Sequence, residues 1–327
     1  RGFCEARSAT PATVGHWSQI PAVPTDAFKA APIVSGDPAE AAAVFRTSGT
    51  ALGAGRRGTH YMLDTALYRA ALRVGFGVHL LPEGGPIRIA ALVPPPSELP
   101  DSSLSFMVGD VLETFGADRS RFYVRKGDLD LNRFVADARD AIVEGQRVLV
   151  AGTSFAFVYL LDGLAAAGIH LSLPPGSRAM DTGGFKARSR EVERAELYGM
   201  IEVGLGIPAA YIVNEYGMTE MSSQFYDGIA GEAAPIGAGR LHHGPPWVRT
   251  VAADPNTLEP LDRGAVGILR HLDLANLDSV AAIQTADLGA IADGGFELGG
   301  RAEGAEARGC SIATDELLEV MRRGIEG

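Results

Sequence analysis

Cysteine and long apolar runs are both scarce in this 327-residue chain. Its two cysteines, Cys4 and Cys310, form neither a disulfide framework nor a CxxC metal pair. With seven scattered histidines, we expect no structural zinc site. The longest apolar stretch, residues 148–161, is interrupted by Gly-Thr-Ser and is shorter than the roughly 20 residues of a membrane-spanning helix. The sequence starts at Arg1 without a signal-peptide pattern, so we expect a soluble, cytoplasmic protein.

Lysine is scarce as well, with only Lys29, Lys126 and Lys186 in the whole chain. The net charge is −11, which argues against nucleic acid or an anionic membrane surface as a partner, because both require clustered Lys and Arg. Hydrophobic residues make up 46% and charged residues 21%. This composition favours a packed core over disorder, and the length allows one large α/β domain or two of ordinary size.

Apolar runs alternate with helical patterns in the middle of the chain. This alternation predicts parallel strands whose sheet is covered by helices on both faces. The C-terminal third has short strands and turns instead, and residues 1–40 form a Pro- and Ala-rich arm. The predicted strands are residues 87–93, 147–151, 169–173 and 210–213, and the predicted helices are residues 63–74, 154–167, 189–204 and 315–323.

Polar side chains follow the last of these predicted strands. Ligands of α/β sheets bind at the carboxyl ends of strands. Asn214, Tyr216, Thr219 and Glu220 follow the predicted strand 210–213 and would lie at such an end. A carboxylate there can hold magnesium, a hydroxyl can meet a phosphate, and Gly217 allows a tight turn. The alternative is an ordinary strand-to-helix turn with Glu220 solvated in the first helical turn.

A Gly-rich segment with several hydroxyl groups spans residues 46–58. Small residues let backbone N–H groups approach phosphate oxygens, and Thr47, Ser48, Gly49 and Thr50 suit such a cradle. The segment lacks the Gly-Lys-Ser/Thr ending of a Walker A loop. Its alternative is a flexible surface loop.

Two further segments combine glycine with charge. Gly183 and Gly184 suit close approach of a flat ring or a phosphate, with Lys186 as a nearby point charge. Asp287 offers a carboxylate to ribose hydroxyls, and Arg301 follows another Gly-Gly pair. Taken singly, the first pattern is usually only a turn, and the second is more typical of a pair of hairpins than of a binding site.

The order of these motifs along residues 45–308 resembles the adenylate-forming superfamily of acyl-CoA ligases and related enzymes. A narrower set of segments resembles the acyl-protein synthetases, the fatty-acid-activating components of bacterial bioluminescence and their relatives. These segments are Ile-Pro-Ala-Val-Pro-Thr-Asp-Ala-Phe-Lys at 20–29, Gly-Gly-Phe-Lys at 183–186, residues 189–198, Pro-Pro-Trp-Val-Arg at 245–249 and Glu-Ala-Arg-Gly-Cys at 306–310.

The resemblance implies an α/β fold, with an adenylation domain of mainly parallel sheets flanked by helices and a β-rich C-terminal part. That domain would cover residues 1–300, including the arm at about 1–40. Residues 301–327 would be a short remnant of a mobile C-terminal domain that is truncated here. The sequence leaves the oligomeric state open.

The resemblance also implies ATP-dependent activation of a carboxylic acid as an acyl-adenylate, with ATP and Mg²⁺ as cofactors and a long-chain fatty acid as the default substrate. The implied roles are phosphate contacts for Thr47, Ser48, Gly49 and Thr50, and adenine contacts for Gly183, Gly184 and Tyr216. Gly217 would belong to the cofactor-binding turn. Thr219 would contact the α-phosphate, Glu220 the metal, Asp287 the ribose, and Arg301 the ribose or the hinge.

The second half-reaction implied by the family moves the acyl group to a cysteine near the C-terminus, and Cys310 is the matching position. Larger relatives carry a catalytic lysine in a C-terminal domain, whereas this chain has no lysine after Lys186. Either Lys186 or an arginine would then replace that charge, or adenylation would depend on a different arrangement. The short C-terminus favours a protein thiol, on Cys310 or on a reductase or carrier partner, over the coenzyme A of an acyl- or aryl-CoA ligase.

Two other functions stay open. Ser154 lies between a predicted strand and a predicted helix, as in the nucleophile elbow of a serine esterase, with Asp227, His242 and His243 downstream. A non-catalytic relative that keeps the nucleotide pocket is the other.

Overall fold

The computed structural model describes residues 2–47, 57–183, 192–233 and 239–301. Helices in these ranges are α1 (Gly2–Ala6), α2 (Ala27–Ala30), α3 (Ala66–Leu80), α4 (Ser103–Phe115), α5 (Leu131–Glu144), α6 (Ser154–Ala166) and α7 (Arg194–Leu205), with 3₁₀ turns at Trp17–Gln19, Pro38–Glu40 and Ala209–Tyr211. Strands are β1 (Val23–Pro24), β2 (Ala43–Arg46), β3 (Thr59–Met62), β4 (Arg88–Leu92), β5 (Arg121–Phe122), β6 (Val124–Arg125), β7 (Asp128–Leu129), β8 (Val148–Thr153), β9 (Arg178–Thr182), β10 (Ile212–Tyr216), β11 (Phe225–Tyr226), β12 (Val248–Ala253), β13 (Val266–Asp273), β14 (Ala282–Ala292) and β15 (Gly295–Arg301).

The central sheet has the strand order β11-β10-β9-β8-β4-β5. Strands β5, β4, β8, β9 and β10 run parallel, and β11 is antiparallel to β10. Thr153 pairs with Thr182, which pairs with Glu215 on the other side. Three strands therefore end at the same edge, as expected for parallel strands that lead into ligand-binding loops.

Helices cover both faces of this sheet. Val148 and Val150 point into a core with α5, α6 and α7, whereas Leu149 and Ala151 point into a second core with α3 and α4. Successive side chains of a strand point to opposite faces of the sheet, and in β8 they are apolar on both faces. The predicted doubly covered parallel sheet is confirmed.

A second sheet occupies the C-terminal part, with the order β1-β14-β13-β12 and β15 added to β14. Its pairs are antiparallel except for β1, which runs parallel to β14 at Ile283 and Gln284. Strand β1 belongs to the N-terminal arm, and Thr25 N donates to Gln284 O at 3.0 Å. The arm is thus fixed to the β-rich part of the chain, whose existence the turn-rich sequence predicted.

One predicted strand is wrong. Residues 169–173 form no strand, because Leu171 N and Leu173 N donate to carbonyls at the end of α7 rather than to a neighbouring strand. The consecutive prolines at 174 and 175 then lead to β9, which takes the place in the sheet that we assigned to residues 169–173.

Other boundaries move by a few residues. Helix α3 starts three residues later than predicted and continues to Leu80. Helix α7 begins at Arg194, and the predicted start at residue 189 and the predicted helix 315–323 lie outside the described residues. Strand β10 begins at Ile212 because residues 209–211 form a 3₁₀ turn, so Tyr216 is the last residue of the strand. In the described ranges, no helix has the length and apolar character needed to cross a membrane.

Candidate active site

The edge where β9 and β10 end carries a buried carboxylate, Glu215. Thr182 Oγ1 donates a short hydrogen bond to Glu215 Oε2, and the side chain of Glu215 lies inside the sheet edge with 4% exposure. Burial raises the pKa of Glu215 to about 7, although the Thr182 bond opposes the rise and the charge of Asp181 adds to it. Glu215 therefore titrates near neutral pH.

The same carboxylate explains the glycine at position 217. A Cβ on Gly217 would collide with Glu215 Oε1. The sequence predicted that this glycine permits a tight turn, but the close approach of the Glu215 carboxylate is the constraint that the structure shows. Any other residue at this point would require the Glu215 carboxylate to move.

A second buried carboxylate, Asp181, lies on β9 directly before Thr182 and pairs with Asn214 of β10. It accepts hydrogen bonds from Ser154 Oγ (3.0 Å), Asn214 Nδ2 (3.0 Å) and Tyr198 OH (3.3 Å). Burial raises its pKa despite these donors and the charge of Arg194. The Asp181 carboxylate thus ties α6, α7 and β10 together beneath the edge.

Tyr216 connects the two sheets. Its hydroxyl donates to Asp287 Oδ2 at 2.9 Å, and Arg301 Nε lies 3.3 Å from Asp287 Oδ1. Burial, followed by the charge of Asp287, raises the pKa of Tyr216, so the phenol stays a donor. Three predicted site residues from three separate motifs are therefore joined in one chain of contacts.

Aromatic rings hold the side chain of Tyr216 in place. The ring centroids of Phe225, His242, His271 and Phe296 all lie within 5.8 Å of its own. Burial lowers the pKa of both His242 and His271 to about 3, so both imidazoles are neutral at physiological pH. The phenol is accordingly positioned by a rigid, uncharged cluster.

Thr219 and Glu220 follow in a turn rather than a helix. His60 Nδ1 lies 2.7 Å from the Thr219 carbonyl, which can only accept, so the imidazole donates. Thr219 Oγ1 lies 3.5 Å from Ser103 Oγ, and Asn276 Nδ2 donates to the Glu220 carbonyl at 3.0 Å. The backbone of the motif is fixed from both sides.

The Glu220 side chain is 7% exposed, so the alternative of a solvated residue in a helical turn is wrong. Burial raises the pKa of Glu220 to about 7. A hydrogen bond from its own amide and the charges of Lys29 and Arg301 oppose this rise, and the charge of Asp287 reinforces it. Burial therefore outweighs the positive charges that act on the Glu220 carboxylate.

A cavity of about 170 Å³ lies behind this turn. Its walls include His60 and Asn276, which bind the backbone of the motif, together with Tyr68, Ser222 and Asp278.

A family model described as acyl-protein synthetase, LuxE, matches residues 1–319. The chain belongs to the acyl-protein synthetase family. No curated protein sequence matches it.

Solved structures share the fold of this chain. ATP-bound MatB from Rhodopseudomonas palustris has a TM-score of 0.57 at 16% identity, over 82% of this chain and 49% of MatB. The amide bond synthetase McbA from Marinactinospora thermotolerans has a TM-score of 0.54 at 19% identity, over 81% and 49%. The 2-hydroxyisobutyryl-CoA ligase in its postadenylation state with 2-HIB-AMP has a TM-score of 0.63 at 14% identity, over 91% and 62%. The fold is that of adenylate-forming enzymes, and the chain spans about half the length of MatB and McbA.

Several of the predicted site residues lie outside the described ranges: Ser48, Gly49, Thr50, Gly184, Lys186 and Cys310. Of the flanking residues, Thr47 N donates to Gly58 O at 2.9 Å, and Gly58 N donates to Thr47 Oγ1 at 2.9 Å. Gly183 has φ +68°, a conformation that favours glycine.

The serine esterase arrangement does not form. Ser154 is 6% exposed, and its hydroxyl bonds to Asp181 and to the Gly183 carbonyl at 2.8 Å. His242 Nε2 bonds to Asn214 Oδ1 at 2.9 Å, and His243 Nδ1 to Gly294 O at 2.9 Å. No histidine among the described residues is positioned to take the serine proton.

Sequence reasoning missed Glu215, Asp181, His60 and Lys29 as parts of this region. Glu215 and Asp181 lie inside motifs that we did single out, and the burial that raises their pKa values is visible only in three dimensions. The pairing of His60 with Thr219, 159 residues away, had no sequence signal. For Lys29, its rarity as one of three lysines was the available signal.

Proposed function

We propose that this acyl-protein synthetase uses ATP to convert a carboxylic acid into an acyl-adenylate, releasing pyrophosphate. The observation that carries the proposal is the contact chain Tyr216–Asp287–Arg301. These three residues, for which the family resemblance implies nucleotide contacts, meet at one place, and Glu220 follows Tyr216 by four residues. Family membership and the fold of adenylate-forming enzymes support the same chemistry.

The reaction needs positioning and charge neutralisation more than acid–base chemistry. A carboxylate oxygen of the acid attacks the α-phosphorus of ATP and forms a new O–P bond. The bond from that phosphorus to the bridging oxygen breaks, and its electron pair leaves with pyrophosphate. No proton is transferred in this step, so binding and electrostatics supply the catalysis.

Asp287 and Tyr216 are suited to the nucleoside. The Asp287 side chain remains 17% exposed while it accepts from Tyr216 and pairs with Arg301. A carboxylate has about four lone-pair positions, so ribose hydroxyls can still donate to it. Gly183, at the end of β9 with no side chain, would leave space for the adenine ring.

Glu220 suits a magnesium ion shared with substrate phosphates. Mg²⁺ is usually held by one or two carboxylates together with phosphate oxygens and waters, rather than by an all-protein cage. The described residues contain no group of three or more potential ligands, but Glu220 supplies a buried carboxylate in the turn that follows Tyr216. A bound cation would neutralise phosphate charge, and Thr219 would place its hydroxyl beside the α-phosphate.

The second step would transfer the acyl group from AMP to a thiol. The thiolate would attack the acyl carbon, and the C–O bond to AMP would break with its electron pair on AMP. Cys310 is the candidate nucleophile, and a carrier or reductase partner is the alternative acceptor. Activation of a thiol with a normal pKa of about 8.5 would require a nearby cation, for which Arg308 is close in sequence.

Pyrophosphate exchange into ATP tests the first step. We expect exchange that requires both Mg²⁺ and one class of acid, with long-chain fatty acids as the default within a panel that includes aryl and short-chain acids. A panel without any acid-dependent exchange would contradict the proposal and favour a non-catalytic nucleotide-binding relative.

Mass spectrometry after incubation with the active acid and ATP tests the second step. We expect an acyl adduct on the wild-type protein that hydroxylamine removes and that Cys310→Ser lacks. An adduct retained in Cys310→Ser would exclude this cysteine as the acceptor. Product formation only when coenzyme A is added would identify an acyl-CoA ligase instead.

A further inference from the structure

A second open pocket lies where the N-terminal arm meets the hairpin of β2 and β3. Its volume is about 420 Å³, and its rim carries three cationic side chains, Lys29, Arg46 and Arg57. Thr59 and Tyr61 add hydroxyl groups to the same wall. In a chain with a net charge of −11 and three lysines, such a grouping of cations defines a local anion-attracting surface.

The arm is anchored next to the proposed active site. Phe28 packs edge-on against His60 with ring centroids 5.9 Å apart, and His60 binds the Thr219 carbonyl. Lys29 is the next residue after Phe28 and lines the pocket with Arg46 and Arg57. The packing of Phe28 on His60 therefore ties this part of the arm to the residue that holds the Thr219 carbonyl.

Arg57 is held at the edge of the Gly-rich segment. Its Nε donates to Thr47 O at 2.5 Å and its Nη2 to Arg46 O at 3.1 Å. Its Nη1 pairs with Asp101 at 2.8 Å. These bonds position the guanidinium beside Thr47, the first residue of the predicted phosphate cradle.

Two carboxylates balance the cations in this state. Lys29 Nζ lies 2.6 Å from Asp26 Oδ1, with side chains that are 43% and 48% exposed, and Arg57 pairs with Asp101. An exposed ion pair of this kind is weak because water screens it. Asp26 precedes α2 but forms no side-chain capping bond, so its carboxylate can give up Lys29 without loss of a helix cap.

We propose that Lys29, with Arg46 and Arg57, binds the polyphosphate of the nucleotide, and that Asp26 is the resting counter-ion that the polyphosphate displaces. This inference rests on the proposed function, because it assigns the nucleotide's β- and γ-phosphates to this pocket. The arm thereby supplies a substrate-binding lysine from a segment outside the adenylation motifs. Released pyrophosphate would contact the same side chains.

Binding of tripolyphosphate, measured by isothermal titration calorimetry, tests the site without any reaction. We expect Lys29→Met to weaken binding about tenfold, as for the loss of one charge-assisted hydrogen bond, and Lys29→Arg to restore most of it. Asp26→Asn should shift binding in the opposite direction by removing the competing carboxylate. Lys126→Met, which removes an exposed lysine in the turn between β6 and β7, is the matched control.

AMP binding separates the polyphosphate from the nucleoside. Because AMP lacks the β- and γ-phosphates, its dissociation constant should change less than twofold in Lys29→Met. Equal losses for AMP and tripolyphosphate would overturn the proposal, and so would tripolyphosphate binding that is the same in Lys29→Met and Lys126→Met.

The outcomes for pocket and function are distinguishable. Wild-type protein that binds tripolyphosphate through Lys29 but shows no acid-dependent exchange would contradict the proposed function and leave the anion site standing. Normal exchange in Lys29→Met, with an unchanged KM for ATP, would support the function and refute the role of Lys29. Pyrophosphate titrations in both variants show whether the leaving group uses the same side chains.

Discussion

The hydroxyl of Tyr216 donates to the carboxylate of Asp287 at 2.9 Å, although 71 residues separate them. This bond joins the central sheet, which contains Tyr216, to the C-terminal sheet, which contains Asp287. Asp287 in turn pairs with Arg301 on the adjacent strand β15. The contact fixes the relative positions of two segments proposed to bind one nucleotide, so its loss should affect nucleotide binding.

Tyr216→Phe should raise the KM for ATP about tenfold or more and leave kcat within about twofold. Removal of a hydrogen bond to a charged group costs about 1.5–3 kcal/mol, and the ring cluster that holds the side chain is unchanged. Steady-state exchange assays at varied ATP measure this effect. Tyr159→Phe, at a site that is 56% exposed, is the control; equal KM values in the two variants would separate Tyr216 from nucleotide binding.

Glu220→Gln should abolish the Mg²⁺ dependence of exchange and most of its rate. The amide keeps the shape of the side chain but loses the charge that a magnesium ion requires. Exchange assays over a range of Mg²⁺ concentrations give the result, with the exposed Glu202→Gln as control. Activity that still responds to Mg²⁺ as in the wild type would remove Glu220 from the metal site.

Glu215 should make the protein less stable as the pH rises from about 4.5 to 7. Its pKa is raised to about 7 in the folded state by burial, so the folded protein binds more protons than the unfolded chain in this window, and stability falls there with increasing pH. The full effect is up to about 3 kcal/mol. Above pH 7 it changes no further.

Glu215→Gln tests this pH dependence by denaturant unfolding at pH 5 and pH 8. The glutamine oxygen can still accept from Thr182, and the uncharged amide avoids the cost of a buried charge. We expect the difference in the free energy of unfolding, variant minus wild type, to be larger at pH 8 than at pH 5. A difference that is equal at the two pH values would show that Glu215 does not titrate in this range.

Gly217→Ala should destabilise the protein or displace Glu215. The added methyl group would collide with Glu215 Oε1, and overpacking of this kind typically costs about 1–3 kcal/mol. Thermal unfolding measures the loss. Gly199→Ala is the matched control, because a Cβ there meets nothing within 4 Å and alanine favours the helix interior; equal melting temperatures for both variants would contradict the predicted collision.

The parallel sheet and its helices were predictable because β8 and α6 are continuous apolar segments with clear boundaries. The misplaced strand at residues 169–173 shows the limit of this reasoning. An apolar run next to two prolines has the composition of a strand, but its hydrogen-bond partners at the end of α7 are set by tertiary packing. Local composition does not contain that information.

The candidate site likewise contains residues that the sequence could assign and residues whose positions depend on tertiary packing. Tyr216, Asp287 and Arg301 were assigned from a sequence resemblance, and the structure brings them together. The positions of His60 and Lys29 depend on how the arm packs across the chain, and pKa values near neutrality depend on burial. These properties arise only from contacts between residues distant in sequence.

Transfer of ¹⁸O from a labelled acid to AMP tests acyl-adenylate formation most directly. When a thiol attacks the acyl carbon of an acyl-adenylate, the oxygen that came from the carboxylate stays on the phosphate. With the acid that supports exchange, the account predicts AMP that carries one ¹⁸O atom, detected by mass spectrometry. Unlabelled AMP, or ADP as the nucleotide product, would contradict it.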